Sequence, residues 1–119
     1  MSDLSHCNVV VIIFAMDGCH HCEDYSPRFE RMIRAFQNKG WPFVYYDGRR
    51  VISHGQIPIL ILDGASSDPS IAEYANQHQI DGMPTTMVLR RYQDPIKLEG
   101  AIDDREIYDA LVLACQANH

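Results

Sequence analysis

Apolar and polar positions divide the chain into short, well-separated elements. Val9, Val10, Val11, Ile12, Ile13 and Phe14 form an unbroken apolar run, and a run of that length without alternation suits a strand buried on both faces. Beyond it Phe29, Met32, Ile33 and Phe36 recur at i, i+3, i+4 and i+7. That spacing predicts an amphipathic helix from about Cys22 to Asn38, stopped by Gly40. Pro27 lies inside it, which predicts a kink after the first turn. Phe43 to Tyr46 and Arg49 to Ile52 flank Asp47-Gly48 and read as a hairpin. Ile59 to Leu62 is a short apolar strand, preferred over the hairpin as the strand that follows the first helix in the sheet.

The second half repeats the logic. Asp68 can cap a helix with Pro69 at its first position, and Ile71, Tyr74, Ala75 and His78 supply its inner stripe. His78 is expected at that helix end as a dipole partner or surface residue rather than a ligand. Thr85 to Leu89 and Ile96 to Glu99 predict an antiparallel pair joined at Gln93-Asp94-Pro95. Asp103 with Glu106 makes a capping-box start for a last helix. Its stripe is Ile107, Tyr108, Leu111, Val112 and Cys115, so Cys115 is expected as a buried, inert thiol.

Composition narrows the picture. With 119 residues, 46% of them hydrophobic, the chain can fill one core, and residues 1–119 are read as a single domain without repeat, linker or low-complexity tract. A net charge of -6, with no basic cluster larger than Arg49-Arg50 or Arg90-Arg91, argues against a nucleic-acid partner. The run from Val9 to Met16 is too short to span a bilayer, so no membrane association is expected. Met1 to His6 lacks the basic start and long apolar stretch of a secretory signal, which favours a cytoplasmic location.

The chemistry concentrates at Cys19-His20-His21-Cys22. Two thiols three positions apart, at the start of a helix that follows a buried strand, can close into a reversible disulfide. At a helix N-terminus the first sulfur meets unpaired backbone N–H groups and the positive end of the dipole. Cys19 is therefore expected to ionise below the free-cysteine value of about 8.5. Imidazole donors or charge on His20 and His21 favour the thiolate further and leave the disulfide without that stabilisation. A stabilised dithiol makes a more oxidising couple than a Gly-Pro insert would. A zinc site drawn from His6, Cys7, Cys19, His20, His21 and Cys22 is the competing reading, but the second closely spaced pair of a structural zinc site is missing downstream. No bound metal is expected. Cys7 precedes the first strand, where a regulatory disulfide or a dimer contact is the alternative to an idle thiol.

These residues resemble the thioredoxin superfamily, and the likeness spans about residues 9–115. The strand ending at Phe14 and Ala15, the Cys-x-x-Cys, Pro27 five residues past the second cysteine, Met83-Pro84-Thr85 and Gly100 before the last helix are similar to that family's landmarks in order. The resemblance implies an α/β thioredoxin fold, a central mixed sheet flanked by helices, here with the extra hairpin near residues 43–52. It implies that Pro84 is a cis-proline, and that Met83, Pro84 and Thr85 lie against the disulfide and receive the substrate backbone. The family's buried aspartate falls at Ile13, which departs from the usual proton route; Asp17, His21 or Glu23 acting through water are the substitutes. Gly82-Met83-Pro84 and Gly100-Ala101-Ile102-Asp103-Asp104 also resemble glutaredoxins in part, without the second glycine of their glutathione-holding stretch.

The implied activity is thiol-disulfide exchange with protein disulfides, with Cys19 and Cys22 catalytic and His20 and His21 tuning them. No bound cofactor is expected beyond the redox-active disulfide itself. A reductase or glutathione would supply electrons, the electron-transport role implied by the family, and a monomer is expected. The alternatives are a glutaredoxin-like, glutathione-dependent reductase and a non-catalytic metal-binding or interaction module on the same fold. The histidine argument is checked by equilibrating wild type and His21→Pro with glutathione buffers. The wild type is expected to hold the larger dithiol fraction.

Overall fold

The computed structural model of the chain describes residues 8–16, 18–47, 49, 51–53, 55–64, 67–91 and 93–116. It is a five-stranded mixed sheet with helices on both faces. In chain order the elements are β1 (Val9–Ala15), α1 (His20–Asn38), β2 (Phe43–Tyr45), β3 (Ile57–Asp63), α2 (Pro69–Gln77), β4 (Thr85–Arg90), β5 (Ile96–Glu99) and α3 (Asp104–Gln116). The strands lie in the order β2-β3-β1-β4-β5. β1 pairs parallel with β3, Ile13 opposite Ile61, and antiparallel with β4, Ile13 opposite Thr86.

The two faces of β1 explain its unbroken apolar run. Val9, Val11 and Ile13 enter one core with Tyr25, Phe29, Met32, Ile33 and Phe36 of α1 and Ile107, Ala110 and Leu111 of α3. Ile12 and Phe14 enter the other, with Met87, against Ile71, Tyr74 and Ala75 of α2. Alternate side chains of one strand thus serve both layers. The helix ends follow their sequence signals. Asp68 accepts from the Ser70 N–H at 2.9 Å with Pro69 at the first helical position. Asp103 and Glu106 exchange reciprocal 2.9 Å bonds, a complete capping box. α1 ends where Gly40 takes φ +100 and the Trp41 N–H bonds back to the Phe36 carbonyl at 3.0 Å.

Three expectations need correction. The first helix starts at His20, two residues earlier than its apolar stripe suggests, because Cys19 caps it. The hairpin near residues 43–52 does not form. β2 pairs parallel with β3, Phe43 opposite Ile57, and residues 49 and 51–53 are outside any strand; positions 48 and 50 lie outside the described residues. The physical reason is burial. Phe43 and Val44 are buried and need the slot beside β3, whereas Val51 is 86% exposed and the Asp47 carboxylate accepts from the Arg49 N–H at 2.9 Å, turning the chain away. Cys115 is buried as expected, but it is disulfide-bonded rather than a free thiol. The Cys7 readings, regulatory disulfide or dimer contact, fall outside the described residues.

β3 is longer than its apolar core, from Ile57 to Asp63, and tolerates Pro58 because the pairing with β1 begins only at Ile59. Trp41 and Phe43 stack at 6.0 Å and pack with Phe36 and Tyr108, so the aromatic residues after α1 close the core. No helix among the described residues is long and apolar enough to cross a membrane. Leu111 is fully buried between α3 and the sheet, while Leu113 on the same helix is half exposed. Denaturant unfolding is expected to show Leu111→Ala costing about 2–5 kcal/mol and Leu113→Ala costing no more than about 0.5 kcal/mol.

Candidate functional site

The site assembles where β1 ends and α1 begins. Gly18 takes φ +78 with open space around it, a left-handed backbone that suits glycine and turns the chain from sheet to helix. Cys19 follows in extended conformation as the helix N-cap. Its Sγ accepts the Cys22 N–H at 3.2 Å, so a sulfur occupies the place usually taken by a hydroxyl or carboxylate oxygen. The two cysteines are joined by a disulfide with their Cα atoms 5.2 Å apart, inside the ordinary range for such a bond. They are not equivalent. Cys19 is half-buried, whereas Cys22 is only 3% exposed, and the Ser26 hydroxyl donates to its carbonyl at 2.8 Å.

A second chain segment reaches the same sulfur from far away in sequence. The Met83 carbonyl oxygen lies 3.7 Å from Cys19 Sγ. The Met83-Pro84 peptide bond is cis. Pro84 and Thr85 are buried, and the Thr85 hydroxyl donates to the Gly82 carbonyl at 2.6 Å. The Gly100 N–H donates to the Pro84 carbonyl at 2.9 Å, with Gly100 at φ +79. The Met83 side chain lies over Gly64, so closely that a methyl group there would meet its Sδ and Cε. The loop is therefore held from below by β4, from the side by Gly100 and from the other face by the β3 end.

Of the residues singled out in the sequence, Cys19, Cys22, Met83, Pro84 and Thr85 come together. His20 and His21 do so only in part. Both are on the first turn of α1, both are exposed, and neither makes a hydrogen bond or ion pair among the described residues. Their action on Cys19 is thereby limited to charge carried near the helix start. Asp17 lies outside the described residues, and Ile13, where an aspartate was the family expectation, is buried in the apolar core. No group of three or more His, Cys, Asp or Glu side chains among the described residues could hold a metal ion.

Sequence reasoning missed two features. Ser26 was hidden within a polar helix face. Asp63 read only as the end of a strand, although the alternation Ile57, Ile59, Ile61, Asp63 places it on the same sheet face as α1. Beneath the site, the Tyr25 phenol and the Thr86 hydroxyl are both buried and approach one another without hydrogen-bond geometry. Burial pushes the Tyr25 phenol up to about 12, with Thr86 and Arg28 pulling weakly the other way.

The backbone resembles those of several solved structures. It is similar to mitochondrial thioredoxin 3 of Saccharomyces cerevisiae at 16% identity, over 92% of this chain and 81% of that one, with a TM-score of 0.57. Fasciola hepatica thioredoxin matches at 13% identity over 92% and 84%, TM-score 0.58. The germline-specific thioredoxin Deadhead of Drosophila melanogaster matches at 15% over 92% and 83%, TM-score 0.59. No family model and no curated protein sequence matches the chain. At these identities the likeness establishes the fold: this chain has the thioredoxin fold.

Tyr25 supplies a pH signature of the packing under the site. Its folded-state phenol ionises later than the unfolded value of 10.0, so its contribution is complete below pH 10 and is lost as pH climbs through about 12. The loss is about 2–3 kcal/mol across that window. Stability measured against pH is expected to fall less steeply there in Tyr25→Phe; the smaller upward shifts of Tyr45 and Tyr74, caused mainly by burial, remain in both proteins.

Proposed function

We propose that the chain is a thiol-disulfide oxidoreductase that exchanges its Cys19-Cys22 pair with disulfides of protein substrates. The observation that carries this reading is the Cys19-Cys22 disulfide itself, formed at the N-terminus of α1 with a substrate-accessible first sulfur and a buried second one. In the reduced protein Cys19 attacks as a thiolate. The Cys22 N–H and the dipole of α1 favour that charge. One substrate sulfur leaves and the other stays on Cys19 as a mixed disulfide. Cys22 then attacks Cys19, reforming the internal bond and releasing the second substrate sulfur.

Met83, Pro84 and Thr85 form the docking loop in this reading, because the loop lies beside Cys19 and an extended substrate segment there would meet the sulfur. His20 and His21 flank the sulfur on the exposed first turn of α1 and tune it through the field at the helix start. In a reducing cytosol the net direction is reduction, with electrons returned by a partner reductase or by glutathione. The protein acts as a monomer without a bound cofactor or metal.

Reduction of insulin disulfides tests the reading directly. Wild type is expected to turn over, Cys19→Ser to fall to the uncatalysed rate, and Cys22→Ser to accumulate a mixed disulfide visible as a mass adduct on Cys19. Full activity of Cys19→Ser would overturn the assigned nucleophile.

A further inference from the structure

Glycine at position 64 has a reason that its backbone does not supply. Gly18, Gly40, Gly55 and Gly100 take φ between +78 and +100, where a side chain brings strain. Gly64 lies outside that region, in a conformation open to residues with a side chain. What it lacks is room. A Cβ at position 64 would stand 2.7 Å from Met83 Sδ and closer still to Cε, whereas one at Gly18, Gly40, Gly82 or Gly100 would meet nothing within 4 Å. The backbone is not free to withdraw, because the Gly64 N–H donates to the Ala15 carbonyl at 2.8 Å and Ala15 is in register opposite Asp63. The chain just past β3 is thus a fixed floor on which the Met83 thioether lies.

We propose that Gly64 is a positioning residue for substrate docking: its bare backbone seats the Met83 thioether, and the seated thioether leaves the main chain of the docking loop open beside Cys19. The assignment rests on the oxidoreductase reading above and adds what keeps its docking loop accessible. Met83 has two groups to place at once. Its carbonyl oxygen is 3.7 Å from Cys19 Sγ, where a substrate segment would arrive, and its side chain packs against the Ile12, Phe14 and Met87 cluster on the α2 face. Pro84 and Thr85 are buried, so the seat of Met83 decides whether the loop offers backbone or a side chain to the substrate. A methyl group at position 64 would take the space of the thioether end. Methionine is unbranched and turns about its side-chain bonds at small cost, so the fold is kept. The buried directions are filled by the cluster, and the displaced thioether turns to solvent across the loop. A protein segment is then obstructed, while a small disulfide that needs only the sulfur is not.

Single-turnover mixing of the reduced protein with insulin and, separately, with the small disulfide 5,5′-dithiobis(2-nitrobenzoate) tests the assignment. Gly64→Ala is expected to slow insulin reduction roughly ten-fold and to leave the reaction with the small disulfide at its wild-type rate. In a Met83→Ala background no thioether remains to be displaced, and there Gly64→Ala is expected to cause no further loss with insulin. An equal loss from Gly64→Ala in both backgrounds, or a loss shared alike by both disulfides, would overturn the assignment and leave the two-cysteine mechanism standing. A wild type that reacts with neither disulfide overturns the oxidoreductase reading, and this assignment with it. A second measurement depends on no variant. Dilute hydrogen peroxide followed by peptide mass spectrometry is expected to oxidise Met83 of the wild type several-fold more slowly than Met16, which is 41% exposed. Equal rates for the two methionines would remove the seat.

Discussion

Strand β1 carries six consecutive apolar side chains, and such a segment is satisfied only where both of its faces meet another layer and both of its edges meet another strand. The sheet supplies this by placing β3 on one side and β4 on the other, with α1 and α3 over one face and α2 over the other. The consequence for chemistry is positional. β1 ends at Ala15, so the chain must leave the sheet there and turn into α1 at Gly18 and Cys19. The antiparallel register with β4 puts Phe14 opposite Thr85, and the loop that precedes Thr85 is thereby delivered to the same edge. The sequence separation of 64 between Cys19 and Met83 is bridged by strand pairing, so the approach of the loop to the sulfur is a product of the sheet rather than of any direct attraction.

Using a sulfur as helix cap couples local structure to redox state. A thiolate accepts the Cys22 N–H as a charge-assisted bond and sits in the favourable field of the helix start. A disulfide sulfur carries no charge and gains much less from the same geometry. In the oxidoreductase reading proposed above, this geometry favours the dithiol through groups that never react. Protonated histidines at positions 20 and 21 work in the same direction for the sulfur but against the helix, since a cation in the first turn opposes the dipole. Their exposure lets water screen both effects. The backbone N–H, fixed at 3.2 Å, is the more constant contribution.

What could be read in the sequence followed from strong local signals. The β1 run, the periodicity of α1, the Asp68-Pro69 start of α2 and the Asp103/Glu106 box each rest on interactions within a few residues, and each element formed there, α1 gaining two residues at its start because Cys19 caps it. The hairpin failed because Asp47-Gly48 is a genuine turn signal whose outcome depends on which strand Phe43 and Val44 find, and β3, a dozen residues on, offered the buried slot. Cys19 and Cys22 were legible for the same reason as the helix caps: their spacing is local. The place of Asp63 was not, because it arises only when the β1–β3 register and the start of α1 form one groove. The engagement of Cys115 in a disulfide is likewise something that helical periodicity cannot contain.

The interior beneath the site shows why a carboxylate belongs at the rim rather than at position 13. Ile13 is 5% exposed and lies in the α1 and α3 core with Val11 and Ile59. An ionised side chain there would lose its hydration without a cation among its neighbours, a cost of several kcal/mol. The nearby Tyr25 and Thr86 hydroxyls already lack hydrogen-bond partners, so this region has little capacity to compensate a further polar group. Two residues beyond Ile61, its neighbour across the parallel pair, the same sheet face opens into a groove beside the start of α1, and Asp63 there is exposed to solvent. Charge is retained at the end of the strand, where solvent can support it, and the core beneath stays apolar.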